Sequence, residues 1–456
     1  MPMDKLILVS GATGYIASRL VPRLLEAGCR VRCLARDPRR LAGRSWSRPV
    51  ESVQGDVTIP STLHPALQGV QTAYYLIHNM TKGHGYTELE LESARTFALA
   101  AAEAGVEHII YLGGLADPEQ HIAPHMRSRI ETGRVLREGS VPVTEFRAGV
   151  IAGSGSISFE MIRFMTEQFP VVPGPLWMRN KSQPIAMQNV IDYLIAALTN
   201  SSGRGGIFEI GGPDVTTYGE LMLRYARLRG LKRSMLLVPG IPIWLMAFGV
   251  GLMTPVSYPI AYALIGGLSS DSVVKHPEAL QRFPEVKLID FDSATKDALE
   301  KTHPSSIERV WEDGKDLGSL SLNNANGKDR SQTLEFWRTL KHEGCFVDYR
   351  RVQINAAPDR VIGAIKRFVD ESGKFSGVDN SVEPFIVHVK DQWAGEQWIE
   401  WQISGAGNKT LLFQTIFFCP RGLPGFLYWY LLYPFHWLRF RGLIRNITKP
   451  SENNEA

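Results

Sequence analysis

The chain has 456 residues, of which 44% are hydrophobic and 21% are charged. These proportions are ordinary for a globular protein, and the length predicts two or three domains with substantial cores. The formal net charge of +4 is small for this size. The composition therefore gives no support to a nucleic-acid-binding protein, which should carry a concentrated basic face.

The cysteines and histidines predict neither a disulfide nor a metal site. The cysteines are Cys29, Cys33, Cys345 and Cys419. None forms a Cys-x-x-Cys pair and their spacing matches no zinc site, so we expect reduced thiols. Pro124 interrupts the turn between His121 and His125, and no third ligand is evident. The start, MPMDKLILVSG, has an apolar run too short for a secretory signal, and we expect a cytoplasmic protein.

The first part of the chain alternates short apolar runs with helical patterns. Strand-like runs occur at 5–10, 30–36, 50–57, 72–77 and 108–114, and helical patterns at 11–28 and 88–105. Strands separated by helices form parallel sheets with right-handed crossovers. The sequence therefore predicts an α/β domain over residues 1–230.

The turn after the first predicted strand carries glycines at a spacing suited to a diphosphate. Gly11 lets the chain turn sharply, and Gly14 lets the backbone approach a phosphate at the N-terminus of the next helix. Ala17 stands where a third glycine would allow close helix packing. Because a strand precedes the turn and a helix and a strand follow it, we predict a dinucleotide cofactor here. The predicted cofactor-binding residues of this turn are Gly11, Thr13, Gly14, Tyr15 and Ile16.

The ends of the next two predicted strands bear on the choice of cofactor. Arg36 suits the 2′-phosphate of NADP, whereas an acidic residue there would bind the ribose 2′-hydroxyl of NAD. Asp37 follows directly, so NAD stays an alternative. Further positive charge follows at Arg39, Arg40 and Arg44, unless these arginines form a solvated face. Asp56, with Val57 beside it, is placed to meet the adenine, although an ordinary acidic turn residue would look the same.

Several motifs resemble the short-chain dehydrogenase/reductase superfamily, specifically its atypical, NmrA-like branch. They are GATGYIASRL (11–20), LARDP (34–38), QGDV (54–57), YLGGL (111–115), FRAGVIAGSGS (146–156), QPIAMQNVIDYLIAAL (183–198) and FEIGGPDVTTYGELM (208–222). The resemblance implies a Rossmann-like, doubly wound parallel sheet and an NAD(P)-dependent oxidoreductase. It also implies that Arg36 and Asp56 contact the phosphoribose and adenine, and that His78 lines the nicotinamide end.

The catalytic residues of active relatives are missing. Those relatives place a serine at the end of the fifth strand and Tyr-x-x-x-Lys on the next helix. Here the strand ends in Gly113-Gly114, and His125 and Arg129 hold the other two positions. Arg129 can grip a ribose or phosphate but cannot pass on a proton, because a guanidinium pKa lies above ~12. His125 is either a proton donor, since an imidazole titrates near ~6.5, or a structural or cofactor-contacting residue.

A segment without charged residues follows the predicted cofactor domain. From Ser234 to Ser270 there is no Asp, Glu, Lys or Arg, but prolines interrupt the segment, so a single membrane span is not expected. We predict an apolar substrate-side subdomain over 231–312, with membrane contact as the alternative. Residues 313–334, rich in Gly, Asn, Asp, Lys and Ser, predict a linker or surface loop.

Residues 335–450 show a different pattern. Pro358 suits a helix start after a strand-like run, and alternation at 391–407 and 409–420 predicts antiparallel strands. With a terminal helix, this order resembles the START-like helix-grip fold. More narrowly, RGLPGFLYWYLLYPFHWLRFRGL resembles the uncharacterised domain fused behind certain bacterial NmrA-like reductases. The resemblance implies an α+β domain that holds a hydrophobic ligand.

The aromatic run 426–440 has two interpretations. It is apolar almost all round, and arginines flank it at Arg421, Arg439, Arg441 and Arg445. As the gripped helix of the last domain it would be buried by protein, which we expect. Alternatively, its aromatic side chains and the nearby arginines would anchor it at a membrane surface. The protein would then be cytoplasmic but membrane-associated.

Two functions remain open from the sequence. The first is an NADP-dependent oxidoreductase for a small hydrophobic carbonyl or enoyl substrate, with His125 as candidate acid and Arg129 holding the cofactor; His78 or Asn79 would face the substrate. The second is a cofactor-holding protein without turnover, such as a redox sensor or a chaperone-like binder of a lipid or quinone. The missing serine and tyrosine favour the cofactor-holding protein without turnover, whereas the apolar segments favour the oxidoreductase.

Overall fold

The computed structural model of the protein describes residues 5–301 and 340–452, except 42–43, 45, 48, 79–85, 118, 121, 254–255, 257, 343–344, 374, 377–384, 390–392 and 407–408. The predicted linker at 313–334 lies outside the described residues, as do His121 and Asn79. The described chain has a part up to residue 301 built on a parallel sheet and a part from residue 340 built on an antiparallel sheet.

The first part alternates strands and helices. Its strands are β1 (Leu6–Ser10), β2 (Arg30–Ala35), β3 (Glu51–Gln54), β4 (Thr72–Tyr75), β5 (His108–Gly114), β6 (Val143–Ala148), β7 (Ile151–Ala152), β8 (Val171–Pro175), β9 (Lys181–Ser182), β10 (Ile185–Ala186), β11 (Ile207–Ile210), β12 (Thr216–Thr217) and β13 (Ser234–Val238). Its helices are α1 (Tyr15–Glu26), α2 (Pro60–Leu67), α3 (Tyr86–Glu103), α4 (Pro124–Arg137), α5 (Ile157–Gln168), α6 (Met187–Thr199), α7 (Tyr218–Leu228), α8 (Ile243–Met253), α9 (Tyr258–Gly267), α10 (Glu278–Arg282) and α11 (Phe291–Glu300).

The main sheet has seven strands in the order β3-β2-β1-β4-β5-β6-β11. Every neighbouring pair in it is parallel. The strand order reverses between β1 and β4, and ligands of such sheets bind at the carboxyl ends of the strands beside this point. The predicted Rossmann-like, doubly wound sheet is confirmed, and its crevice lies where the glycine-rich turn leaves β1.

The sequence of β1 explains why helices cover both faces of the sheet. Ile7 and Val9 pack into a core with α1 and α6, whereas Leu6 and Leu8 pack into a second core with α2, α3 and α4. All four side chains are buried, as expected for a strand between two helical layers. The strand therefore holds the turn that follows it rigidly.

A smaller apolar unit covers the crevice. In it β13 pairs in parallel with β8, and the charge-free segment continues into α8 and α9. These helices pack with α5 and α7 in a core that includes Phe159, Tyr225, Val250 and Ile265. Within the described ranges, no helix combines the length and hydropathy needed to cross a bilayer.

The second part is an antiparallel sheet with two helices. Its elements are β14 (Leu340–His342), β15 (Cys345–Ile354), α12 (Pro358–Ser372), β16 (Phe375–Ser376), β17 (Phe385–Val389), β18 (Gly395–Ala406), β19 (Lys409–Pro420) and α13 (Gly422–Glu452). The six strands follow the order β14-β15-β19-β18-β17-β16. Side chains of the sheet, α12 and α13 form one core around Trp401 and Trp429. The predicted antiparallel strands and terminal helix are therefore present.

The expectation of four reduced thiols is wrong for one pair. Cys345 and Cys419 form a disulfide, whereas Cys29 and Cys33 are free. The register of β15 and β19 pairs Phe346 with Phe418, which puts the two cysteines opposite each other. They are 74 residues apart in the chain, so their spacing gave no signal.

The two parts share a hydrophobic contact. The ring of Phe164 on α5 meets that of Phe426 on α13 edge to face, 5.7 Å between centroids, and Phe164 belongs to the core of the second part. Beside it, the N–H of Gly422 donates to Glu167 Oε2 at 2.7 Å. The beginning of α13 is thus anchored on the unit that covers the crevice.

Candidate functional site

The turn between β1 and α1 has the geometry of an anion cradle. Gly11 has a φ of +71°, and a Cβ there would lie 2.7 Å from the carbonyl oxygen of Leu76. Gly14 is the N-cap residue of α1, and its N–H donates to the Gly11 carbonyl at 2.9 Å. Because glycine brings no side chain to the helix mouth, a ligand can approach the first-turn N–H groups of α1. The turn therefore fits the diphosphate of a dinucleotide.

Side chains around this turn fix it to neighbouring loops. The Tyr15 hydroxyl donates to the Ser154 carbonyl at 2.9 Å. The Arg19 guanidinium lies 4.0 Å above the Tyr15 ring and donates to the same carbonyl. On the other side, Arg44 Nη2 donates to the Thr13 carbonyl at 3.4 Å. Arg44 thus places a positive charge beside the predicted diphosphate.

The residues predicted at the adenine end differ in what they can offer. Arg36 is exposed just after β2, as a contact to a 2′-phosphate requires. Asp56 Oδ1 accepts hydrogen bonds from the Thr58 N–H at 3.0 Å and the Thr58 hydroxyl at 2.8 Å, which is the geometry of an acidic turn residue. Val57 is buried in the core beneath α2. Of these three, only Arg36 has an exposed side chain.

A cavity of about 480 Å³ opens beside the glycine turn. It runs past the carboxyl ends of β4 and β5 and continues under α8 and α9. Its cofactor-side lining includes Gly11, Gly14, Tyr15, Ile16, His78, His125 and Arg129. Its far end is lined by Met161, Met165, Trp177, Met222, Met246, Val250, Ile260 and Leu264. One cavity therefore joins the anion cradle to an apolar pocket.

His78 lies in the cavity wall and is held by a buried carboxylate. Its Nδ1 lies 2.5 Å from Glu90 Oε1, and the Ser128 hydroxyl donates to Glu90 Oε2. Burial lowers the pKa of His78, while the hydrogen bond to Glu90 opposes this shift. Among the described residues, His78 Nε2 has no hydrogen-bond partner. Glu90 and Ser128 thus orient the ring of a histidine that lines the cavity.

His125 also lines the cavity, but in apolar surroundings. It is buried against Gly267, where an added Cβ would lie 2.8 Å from His125 Cε1. Burial, together with the charges of His78 and Arg129, lowers the pKa of His125 to about 3. The imidazole is therefore neutral near pH 7, which makes it a poor proton donor.

The Arg129 side chain turns toward β5 and hydrogen-bonds to its backbone. Its Nη2 donates to the Leu112 carbonyl at 2.7 Å, and its own carbonyl accepts from the Tyr111 hydroxyl at 2.9 Å. Burial raises the pKa of Tyr111 to about 12. Tyr111 therefore stays protonated and keeps this hydrogen bond. The Arg129 guanidinium lies in the cavity wall, where it can attract an anionic group of a cofactor.

Glu90 stands outside the family motifs, but its position in the sequence carries a signal. Glu90 is in helical register with Ala94, Phe97 and Ala101, which form the buried stripe of α3. An acidic residue within an apolar stripe requires a buried partner. The partners are His78, in the segment after β4, and Ser128 on α4, so only the tertiary fold brings them together.

Comparison with known proteins agrees with this geometry. A model of the NmrA-like family matches residues 3–201. A (4-alkanoyl-5-oxo-2,5-dihydrofuran-3-yl)methyl phosphate reductase of Streptomyces griseus is 30% identical over 235 residues, covering 49% of this chain and 74% of the relative. The chain belongs to the NmrA-like family. Another relative of this NmrA-like protein is the photosystem II assembly factor Ycf39 of Cyanophora paradoxa, 25% identical over 51% of this chain and 71% of the relative.

The fold of this NmrA-like protein is also found in solved structures. The triphenylmethane reductase of a Citrobacter species, solved with NADP(H), superposes with a TM-score of 0.53. It is 21% identical, and the match covers 64% of this chain and 99% of that protein. At this identity the likeness establishes the Rossmann-like fold, which the strand order shows independently.

Proposed function

We propose that this NmrA-like protein is an NADP(H)-dependent oxidoreductase that reduces an apolar carbonyl or enoyl compound. The observation that carries the proposal is the continuous cavity between the glycine turn and the pocket under α8 and α9. A dinucleotide with its diphosphate on Gly11 and Gly14 would extend its nicotinamide toward His78. An apolar substrate would then fill the pocket around Met246 and Leu264 and meet the nicotinamide face.

The choice of NADP over NAD rests on charge. Arg36 is exposed at the end of β2 and Arg44 lies beside the glycine turn. Guanidinium groups bind phosphate strongly, so Arg36 favours a cofactor with a 2′-phosphate, whereas Arg44 would serve the diphosphate that NAD and NADP share. NADP(H) is also the cofactor in the solved Citrobacter reductase. NAD stays the alternative.

Reduction also needs a proton, and we assign it to His78 rather than to His125. When bound, NADPH supplies a hydride to the substrate. His78 Nε2 then gives one proton to the reduced substrate and regains one from solvent after product release, so each turnover consumes one NADPH and one proton. Glu90 stabilises the protonated ring through Nδ1, as an acidic partner does in other acid–base pairs. His125 has no such partner among the described residues.

The test is turnover by the purified protein with NADPH and a panel of apolar ketones, enones and quinones, followed by the absorbance of reduced nicotinamide. We expect His78→Gln to lower kcat by about 10²–10⁴, the usual loss of general acid catalysis. Glu90→Gln should also change the pH profile, because it removes the charge that holds the proton. In the wild type the rate should fall as pH rises, since the lowered pKa of His78 makes its protonated form scarcer.

His125→Gln is the matched control, because it changes a neighbouring histidine in the same cavity. Comparable losses of kcat in His125→Gln and His78→Gln, with NADPH affinity unchanged, would contradict the assignment of the proton to His78. Tight NADPH binding without turnover of any compound in the panel would contradict the oxidoreductase itself.

That last result would favour the second candidate, a cofactor-binding redox sensor or a chaperone-like binder of a lipid or quinone. Two observations support it: the end of β5 at Gly113-Gly114 offers no hydroxyl, and a relative is named as a photosystem II assembly factor. A co-purified ligand identified by mass spectrometry would then define the function.

For residues 335–450 we propose a START-like helix-grip domain with a hydrophobic ligand. The described sheet packs on α12 and α13, as such a domain requires. A cavity of about 260 Å³ lies among Phe368, Phe375, Ile399 and Leu443, with Arg439 at its wall. Native mass spectrometry of the full chain, with and without Phe375→Trp to fill this cavity, tests whether a ligand is held there.

A further inference from the structure

Helices α8 and α9 form the roof of the cavity, and this roof is apolar on both its inner and its outer side. Met246 and Val250 on α8 and Leu264 on α9 line the cavity. On the outer side, Trp244 and Phe248 are 57% and 58% exposed. Tyr258, Tyr262 and Leu245 are exposed as well. A helix that is apolar all round is normally covered by protein or lipid, and the outer side of this roof is not covered by the described residues.

The terminal helix has a second apolar face. The expectation that 426–440 is buried holds for one side, where Phe426, Trp429 and Phe440 join the core. On the other side Leu431, Phe435 and Leu438 are 71%, 68% and 60% exposed. We call this exposed side the outer face of α13. The helix begins beside the apolar unit that carries the roof, since Gly422 lies near Leu231 and Arg233, just before β13.

Arginines lie along α13 close to its outer face, and this stretch of the sequence contains no acidic residue. Residues 421–451 contain no Asp or Glu, but they include Arg439, Arg441 and Arg445, which are exposed. The Arg441 guanidinium lies 5.4 Å from the ring of Trp437. Aromatic side chains with arginines close by are typical of helices that lie in the interface of an anionic bilayer.

We propose that the roof and the outer face of α13 dock on an anionic lipid bilayer. A second copy of the chain fits this surface less well. A two-fold interface brings the same patch of each copy together, so the arginines of one outer face would find no acidic partner within residues 421–451 of the other. Anionic headgroups instead complement these arginines, while the leucine and aromatic side chains enter the acyl boundary.

The docking is tested by sedimentation of the full chain with vesicles, without cofactor or substrate. We expect binding to vesicles of phosphatidylcholine mixed with phosphatidylglycerol, and weak binding to phosphatidylcholine alone. Arg441→Gln and Arg445→Gln should each weaken binding by about fivefold. Two double variants should each weaken vesicle binding more than the single arginine variants do: Leu431→Ser/Phe435→Ser and Trp244→Ser/Phe248→Ser. Leu99→Ser is the matched control, because Leu99 is also exposed but lies on α3.

Three outcomes would overturn the proposal. The first is equal binding of wild type and all variants to the anionic vesicles, and the second is no binding of the wild type to them. The third is a wild-type dimer in light scattering that the Leu431→Ser/Phe435→Ser variant converts to a monomer, which would assign the outer face to a second copy. Circular dichroism of each variant shows whether a loss of binding is a loss of fold.

Docking would also give an apolar substrate a route from the bilayer into the cavity. This inference about substrate entry rests on the proposed reductase function. Trp244→Ser/Phe248→Ser should slow reduction of a long-chain quinone in anionic vesicles and leave reduction of a short water-soluble analogue unchanged. Equal rates of wild type and variant on the vesicle-borne quinone would contradict entry through the roof. Failure to reduce either quinone would contradict the reductase, while the vesicle sedimentation would still decide the docking.

Discussion

The charge state of His125 decides whether this histidine replaces the missing catalytic tyrosine, and it can be measured through stability. Its pKa is lowered to about 3 in the fold, whereas an unfolded chain has a histidine pKa near ~6.5. Between these values the unfolded state binds more protons than the folded state, so stability falls as the pH decreases through this window. At pH 5 the unfolded histidine is almost fully protonated, and the folded one is neutral.

The linkage relation gives the size of the effect. Relative to pH 7, His125 should cost about 2 kcal/mol of folding free energy at pH 5. His125→Gln removes this proton uptake, so its loss of stability between pH 7 and pH 5 should be smaller than that of the wild type by this amount. His108, which is also buried and has its pKa lowered to about 4, contributes the same slope to both proteins.

The assay is urea unfolding of the wild type and the variant at both pH values. His64→Gln, on the exposed side of α2, is the control and should retain the wild-type difference. If the wild type and His125→Gln lose the same free energy between pH 7 and pH 5, the pKa of His125 is not lowered in the fold. The assignment of the proton to His78 would then lose its basis.

Three further predictions concern the cofactor site and the second part of the chain. Gly11→Ala should cost about 1–3 kcal/mol of stability and abolish NADPH binding, because residue 11 has a positive φ and a Cβ would press on Leu76; thermal unfolding and titration measure both. Arg36→Ala should weaken NADPH binding about tenfold and leave NADH binding unchanged, as measured by fluorescence titration. Cys345→Ser should lower stability by about 2–4 kcal/mol only under non-reducing conditions, so a reductant should lower the wild type to the level of the variant.

The sequence was most informative where local patterns decide the structure. The apolar run of β1, the glycines at 11 and 14 and the helical stripe of α1 each lie within a few residues, and together they predicted the turn and the parallel sheet. The alternation at 409–420 likewise predicted β19, which the structure places at Lys409–Pro420. Such patterns depend on the faces and turns that a segment must form, so they are visible without tertiary information.

The features that were missed depend on contacts between distant segments. Cys345 meets Cys419 through strand register, and His78 meets Glu90 and Ser128 through the packing of α3 and α4 beside β4. His125 shows the same limit, because its position in the chain suggested an acid, whereas its lowered pKa comes from burial against Gly267 and from neighbouring charges.

The central claim is that the N–H groups at the mouth of α1 hold the diphosphate of a nicotinamide nucleotide whose reactive end opens into the apolar cavity. Calorimetric titration of the full chain with NADPH tests it most directly, with Gly14→Val as the variant that fills the cradle. We expect heat of binding for the wild type, tighter binding of NADPH than of NADH, and no binding to Gly14→Val. No heat for the wild type with NADPH, NADP⁺, NADH or NAD⁺ would contradict the claim.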